Sequence, residues 1–575
     1  MVNLRINNID ICVEDNMTIL EAARQHNINI PTLCHYPDLH INSDCRICVV
    51  EIEGYKGLKT SCSTPVSEGM NILTNTPRIL NSRKTITELI LSNHDANCTS
   101  CVRNMNCELQ SLSKNLGIDI NRFETVLVKK EIDDHNPSLV RNSNRCIKCG
   151  RCVDVCKEVQ GMHVLESIGR GHEMEITPAF GKYLSDESCT FCGQCANVCP
   201  VGAIIEKDNT NIVWEKLYDP NYHVMVQVAP AVRVSIGEEI GLKTGLISNG
   251  KMVSAIKRLG FNNVYDTDFT ADLTIMEEGT ELINRINTGG VLPLMTSCCP
   301  GWINLAEQEY PEILPHISSC KSPQQMFGTL AKTYFAEKEN MDPKNIYVVS
   351  IMPCTAKKYE AARENLRIDN ENPDVDIVLT TRELGKMFRQ MGIDFDNIDE
   401  VDFDDPFGIS TGAAALFGAT GGVTEAALRT VYEILNNEPL ENLDFKSVRG
   451  MQGIKEASVK LGELEVKVAV SHSLSNARVL IEDVIAGTSP YAFIEIMACP
   501  GGCIGGGGQP YGTTNDVREE RIASIYQVDG NMVYRKSHDN PSIKKLYEDY
   551  LEEPNSKKAH HLLHTKYSIR NAKNI

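Results

Sequence analysis

Alternation of apolar and polar positions is clearest near the start, where Asn3 to Ile30 reads as a strand, a turn and a helix beginning near Thr18. A long apolar run with few charges, Val224 to Val234 (VMVQVAPAVRV), reads as a buried strand. Lys344 to Met352 gives a second one that ends before Pro353, and Leu384 to Met391 gives a further segment. Asp272 to Ile286 (DLTIMEEGTELINRI) has helical texture, with Glu278, Glu281 and Arg285 on one face. The stretch from Asp516 to Ile575 is charged and helical in character. From about residue 210 the succession predicts mixed α/β architecture with parallel strands, which places functional loops at carboxyl strand ends. No apolar run reaches the roughly 18 residues that a membrane-spanning helix needs. The opening MVNLRINNID lacks the marks of an export signal, so a cytoplasmic location is expected.

Composition changes this picture in three ways. A chain of 575 residues is too long for one core, so several domains are expected. A formal net charge of −19 argues against a nucleic-acid partner, whose phosphates call for a basic face. Most telling are the 22 cysteines. In a reducing compartment they stand as thiols, and grouped thiols suit soft metals.

Their spacing divides the chain. Cys34, Cys45, Cys48 and Cys62 form a tight Cys-x2-Cys pair with one outlier on each side. The pattern resembles plant-type 2Fe–2S ferredoxins, though the first gap is long; zinc is the rival for four thiolates. His94 precedes Cys98, Cys101 and Cys107. This motif resembles a 4Fe–4S cluster held by one His and three Cys, with a fourth ligand from elsewhere as the alternative. Cys146, Cys149, Cys152 and Cys156, then Cys189, Cys192, Cys195 and Cys199 followed by Pro200, repeat the run of a two-cluster bacterial ferredoxin. In that pattern the fourth Cys of each run serves the other cluster, which pairs Cys199 with the first run and Cys156 with the second. Such a string reads as an electron wire.

The remaining cysteines fall in TSCCPGW (Thr296–Trp302), MPCTAKKYE (Met352–Glu360) and EIMACPGGC (Glu495–Cys503) followed by IGGGGQP. The Gly-rich tail lacks the Lys-Ser/Thr of a phosphate loop. These three segments resemble the signatures of FeFe (iron-only) hydrogenases. The resemblance covers nearly the whole chain, in the long form with four accessory clusters. It is closest to catalytic subunits of NAD(P)-linked, NADP-reducing or electron-bifurcating enzymes, then to the ferredoxin-dependent clostridial monomer. It implies a multidomain α+β and α/β fold. A β-grasp 2Fe–2S domain would span 1–78, a His-ligated 4Fe–4S domain 79–126, and a two-cluster ferredoxin domain 137–209. A catalytic domain over 210–515 and a fused small-subunit-like segment over 516–575 would follow. The cofactors implied are one 2Fe–2S cluster, three accessory 4Fe–4S clusters and the H-cluster, a 4Fe–4S cube joined to a di-iron unit with CO, cyanide and azadithiolate.

By the same resemblance Cys299, Cys354, Cys499 and Cys503 hold the cofactor, with Cys503 bridging its two parts. Pro230, Ala231, Gln324 and Lys357 surround its diatomic ligands, and Met352 and Met497 wall it. A proton relay is implied from the cofactor amine to Cys298, a water, Glu281, Ser318 and Glu278, with Arg285 near the surface. Electrons would come from a flavin-containing NAD(P)-linked subunit, or from a ferredoxin, and maturase proteins would install the di-iron unit. The chain itself shows no dinucleotide-binding GxGxxG unit. Cys12 is expected as a small buried residue of the first strand, Cys320 as a packed thiol, and His560 and His564 as surface residues. Three relatives in kind are weighed against this reading. Iron–sulfur assembly proteins lack the complete loops, sensory hydrogenases replace Cys298, and an electron-transfer subunit leaves the later cysteines unexplained.

Overall fold

The computed structural model describes residues 1–124, 127–368, 371–461 and 464–570. The expected boundary at 126 and the residues 571–575 of the expected C-terminal segment lie outside the described residues.

The first module is a five-stranded sheet, ordered Ile9–Val13, Val2–Ile6, Asn71–Leu73, Val49–Ile52, Lys59–Thr60. What reads as strand and turn in the sequence is an antiparallel hairpin, with Val2 opposite Val13 and Ile6 opposite Ile9. The helix Ile19–Gln25 follows, fixed at its start by a reciprocal capping box of Thr18 and Glu21. Its Ile19, Leu20, Ala22 and Ala23 join Leu4, Ile6, Val13 and Ile72 in one core. Cys12 departs from expectation. It lies in the second strand, between buried Ile11 and Val13, so the two-residue period turns it to solvent.

The two-cluster region is closed by a short antiparallel pair, Leu139–Arg141 with Ile204–Glu206. Its halves repeat in detail. Lys148 and Phe191 both have positive φ, and so do Gly150 and Gly193, which open the short helices Arg151–Asp154 and Gln194–Asn197.

Two sheets build the rest. One is wholly parallel, ordered Asn263–Asp266, His223–Val228, Ile346–Met352, Ile377–Thr380. The other is ordered Leu294–Met295, Phe493–Met497, Leu464–His472, Ile454–Leu461, parallel except for its last strand. The expected strand over Val224–Val234 stops at Val228. Pro230 starts a short 3-10 turn that carries the chain across the strand ends. The helix Thr267–Thr288 is capped by the Asp266 side chain and ends at Gly289 in the left-handed region. The helix Asn515–Asn531 is clamped by buried ion pairs: Arg521 with Glu238 at 2.6 Å, and Asp529 with Arg429 at 2.8 Å. Among the described residues no helix is long and apolar enough to cross a membrane.

Candidate active site

In the first module the four thiols gather. Cys48 Sγ is 3.3 Å from Cys62 Sγ, and Cys34 meets Cys45 in the same way. The hydrogen bond from its partner holds Cys45 at about 7, and Cys62 likewise at about 7. Four thiols drawn together, two of them lowered toward the thiolate, suit a cation. His94 is pushed toward the neutral imidazole by burial, and its Nδ1 is buried without a hydrogen-bond partner. An unpartnered buried nitrogen, four residues before Cys98 in the run that continues to Cys101 and Cys107, fits a cluster ligand.

The fold brings Cys199 to Cys146, Cys149 and Cys152 around one cavity. It surrounds Cys195 with Cys192, Cys189 and Cys156. Both peripheral modules abut the first of these sites. Arg103 donates to the Cys199 carbonyl at 2.9 Å, and a Cβ on Gly202 would stand 2.9 Å from Cys101 Sγ. Cys45, Cys146 and Cys149 line one cleft. Arg151 ties the three modules together, donating to the His35 carbonyl at 2.9 Å and to both Glu108 oxygens at 2.7 and 2.8 Å.

The second site abuts the later domain. Asn304 donates to the Cys189 carbonyl at 3.0 Å, Thr355 to Phe191 at 2.7 Å, and Gln194 to Gly505 at 2.9 Å. A Cβ on Gly507 would lie 2.1 Å from the Cys192 carbonyl, so only glycine permits this contact. Cys192 and Cys499 consequently sense each other's charge.

Beyond this junction four loops leave carboxyl strand ends and converge on one cavity. Its walls include Pro230, Cys298, Cys299, Gln324, Met352, Cys354, Lys357, Met497, Cys499 and Cys503. Ala231 stands just behind, its carbonyl accepting from Gln509 Nε2 at 3.2 Å. Burial pushes the Cys499 thiol far up, and Cys354, Cys299 and Cys503 push further. Burial likewise lifts Cys503 to about 12. Thiols so crowded fit a polynuclear cation that neutralises them all. Lys357 would lose its proton more readily by burial alone, yet Glu360, 2.8 Å away, leaves it raised and charged. Its Nζ also donates to the Cys298 carbonyl at 3.1 Å. Gln324 Nε2 donates to Glu360 at 3.0 Å, while its Oε1 is buried without a partner. An ammonium and an unspent amide oxygen inside an apolar cavity fit a polar, anionic guest.

On the far side of Cys298 runs a file of titratable groups. Burial lifts the Cys298 thiol well above its usual range, and Glu278 is the charge that adds most. Glu278 is itself raised to about 8, first by burial and then by Glu281. Ser318 Oγ donates to Glu281 at 2.9 Å, and Arg285 pairs with Glu281 at 2.6 Å. The order is therefore Cys298, Glu278, Ser318, Glu281, Arg285, which reverses the two glutamates relative to the sequence expectation. The cause is helix polarity. Thr267 and Ala271, near the start of this helix, line the cavity, so later residues lie progressively farther out.

Two positioning residues went unassigned in the sequence, although both stand in the quoted motifs. Glu360 gathers Lys357, Gln324 and Ser322. Gln509 also reaches toward the Cys503 carbonyl at 3.5 Å and accepts from Ser235 and Thr381. His560 is exposed as expected, but His564 is not. It is buried, with Nε2 3.0 Å from Glu277. No spacing rule in the sequence could have joined His564 to a helix nearly 300 residues away.

Cluster-binding modules that lead to a buried multi-thiol cavity, backed by a carboxylate file, define a redox metalloenzyme. The matches to known proteins say which. The C-terminal domain of the iron-only hydrogenase large subunit matches residues 222–507, and the iron hydrogenase small subunit matches 515–570. A 2Fe–2S cluster-binding domain matches 1–77. The iron–sulfur binding region of NADH-ubiquinone oxidoreductase G matches 83–122, and the ferredoxin-like domain of NADH-quinone oxidoreductase subunit 3 matches 136–205. The NADP-reducing hydrogenase subunit HndD of Solidesulfovibrio fructosivorans is 47% identical over 99% of both chains. Iron hydrogenase 1 of Clostridium pasteurianum is 39% identical over 99% of this chain and 100% of its own. A solved FeFe hydrogenase variant of Chlamydomonas reinhardtii superposes with a TM-score of 0.58 at 43% identity, covering 63% of this chain and 99% of that one. The chain belongs to the FeFe hydrogenase family: an oxidoreductase acting on H2, with 2Fe–2S and 4Fe–4S ferredoxin-like domains ahead of an H-cluster domain.

Proposed function

We propose that this chain is the catalytic subunit of a cytoplasmic NADP-linked FeFe hydrogenase, and that it exchanges electrons with a flavin-containing NAD(P)-linked subunit. The near full-length similarity to an NADP-reducing hydrogenase subunit supports that donor over a ferredoxin. The domains run 1–78, 79–126, 137–209, 210–515 and 516–575. They carry one 2Fe–2S cluster on Cys34, Cys45, Cys48 and Cys62, and three accessory 4Fe–4S clusters. His94 with Cys98, Cys101 and Cys107 holds the first of these, and the crossed ferredoxin sets hold the other two.

Cys299, Cys354, Cys499 and Cys503 hold the H-cluster, which maturase proteins complete. When bound, it supplies the redox chemistry that interconverts protons, electrons and H2. The protein does the rest. Lys357, kept charged by Glu360, offers a charge-assisted donor inside an apolar wall of Pro230, Met352 and Met497. Cys298 gives and takes a proton at Sγ. Glu278, held near neutral-pH titration, accepts it and passes it through the Ser318 hydroxyl to Glu281 and out past Arg285.

One observation carries the proposal: two thiols that line a single cavity face opposite ways, Cys499 toward Cys192 of the ferredoxin module and Cys298 toward Glu278 of the carboxylate file. The test is H2 evolution from reduced methyl viologen by anaerobically matured protein, beside Cys298→Ala. A wild type that is active, and a variant that retains the cofactor but loses most of the rate, supports the reading. A fully loaded but inactive wild type sinks it. Reduction of NADP+ by H2 only when flavin subunits are added supports the donor. Equal rates with ferredoxin alone would replace it.

A further inference from the structure

At the outer end of the carboxylate file lies a cluster that shares Glu281 with the relay and adds two groups the hydrogenase reading does not use, Cys320 and His564. Cys320 Sγ is buried 3.9 Å from Glu281 Oε2 and 4.0 Å from His564 Nδ1. These three donor atoms all lie within 4.8 Å of one another. Two further observations point to a ligand. First, His564 Nε2 is 3.0 Å from the Glu277 carboxylate, which also accepts from Tyr547 at 2.5 Å and from the Asn555 amide at 2.9 Å. The tautomer that donates Nε2–H to this carboxylate carries its lone pair on Nδ1, 4.0 Å from Cys320 Sγ. Metal-bound histidines are commonly oriented this way, by a carboxylate on the other ring nitrogen. Second, the charges are already divided. Arg285 takes Glu281 Oε1 at 2.6 Å, and Oε2, which accepts from Ser318 Oγ at 2.9 Å and the Ser319 amide at 3.1 Å, is the oxygen on the side of the thiol. The contrasting acidic trio Glu425, Asp444 and Asp529 has no such opening, because Arg429, Arg449 and Arg535 fill it.

We propose that Cys320, His564 and Glu281 form a binding site for a borderline-soft divalent cation of the Zn2+ type, and that its occupation closes the outer end of the proton relay. Thiolate, imidazole and carboxylate are zinc's preferred donors. Tetrahedral zinc with ordinary bond lengths would set the sulfur about 3.5 Å from the nitrogen and oxygen donors, so each present gap closes by about 0.5 Å. Water takes the fourth position. The cation replaces the Cys320 thiol proton, which leaves to solvent, so one proton is released per ion bound. Ser319 Oγ, now 2.8 Å from His564 Nδ1, gives up that contact and keeps Glu281 Oε2, to which it donates at 3.3 Å. His560, exposed and stacked on His564 at 4.5 Å between ring centroids, marks the way in from solvent.

The gating half rests on the relay reading above; the binding half does not. The experiment uses the matured holoenzyme, exposed to one equivalent of ZnCl2, desalted, and examined by metal counting and zinc-edge X-ray absorption. The expected result is one retained zinc per chain with a sulfur neighbour near 2.3 Å. Cys320→Ala should lose that sulfur shell and bind at least tenfold more weakly, and His564→Gln should also bind at least tenfold more weakly. No retained zinc in the wild type, or a sulfur shell that persists in Cys320→Ala, overturns the site. Each protein's H2 evolution with zinc is then compared with its own zinc-free rate. Inhibition in the wild type that needs at least tenfold more zinc in Cys320→Ala supports gating. Binding with the predicted shell and no inhibition overturns the gating and the role of Glu281 in the relay, while sparing the site.

Discussion

The cluster-bearing region before residue 210 and the catalytic domain after it hold metal in opposite ways. In the first, most donors of a site come from one short stretch of chain, as in Cys146, Cys149 and Cys152, where left-handed Lys148 and Gly150 fold the loop, and only the fourth, Cys199, comes from elsewhere. In the second, the four donors arrive from three distant strand ends, and the cavity exists only when two sheets are assembled. Local loops make sites that tolerate change one at a time. A convergent site shares its supports, so a single replacement reaches chemistry, cofactor retention and folding together.

The sharpest test of that contrast is Cys503→Ala. It should abolish H2 evolution and the cofactor's CO and cyanide infrared bands while leaving the electron paramagnetic signals of the accessory clusters. Loss of those signals as well would show that the two regions are not independent. Next is Glu278→Gln, expected to lower the H2 evolution rate by about 10²- to 10⁴-fold with the cofactor retained, the usual contribution of a positioned proton-transfer group. The same substitution has a pH signature. Glu278 titrates near 8 in the fold, against 4.5 ordinarily. Between those values the unfolded chain has released a proton that the fold retains, so wild-type stability falls as pH rises through this window and levels off above it. Denaturant titrations of Glu278→Gln should lack that slope; an unchanged slope would place the titration elsewhere.

Glu360→Gln is expected to destabilise the protein by about 3 kcal/mol, because it strands the buried Lys357 ammonium. Thermal unfolding of cofactor-free protein measures it, and a negligible shift would mean Lys357 finds another partner. Smallest is His94→Ala. It should change the methyl viologen rate less than tenfold while removing one cluster's signal; a collapse in rate would make that cluster obligatory.

What the sequence made legible follows the same division. Closely spaced cysteines declared their modules because the ligand set is local. The catalytic loops could be read only as signatures, since nothing in their spacing brings Cys299 to Cys503. The helix Thr267–Thr288 is readable as a helix, and its shared face too, but the order of Glu278 and Glu281 rests on the resemblance alone, because periodicity does not say which end of the helix meets the cavity. Pro230 marked the end of its strand, but the apolar residues on either side masked it. Cys12 faces solvent because strand parity outranks residue type, and the burial of His564 by a returning chain end leaves no local trace in the sequence.

Arg151 joins the loops of both peripheral modules to the helix that follows Cys149. With the clusters proposed above in place, the molecule would be, in circuit terms, a Y rather than a line, with two inputs meeting at one node and sharing one output. Branches in parallel fail differently from links in series. Damage to one arm reroutes current, whereas damage at the node isolates the catalyst from every partner at once.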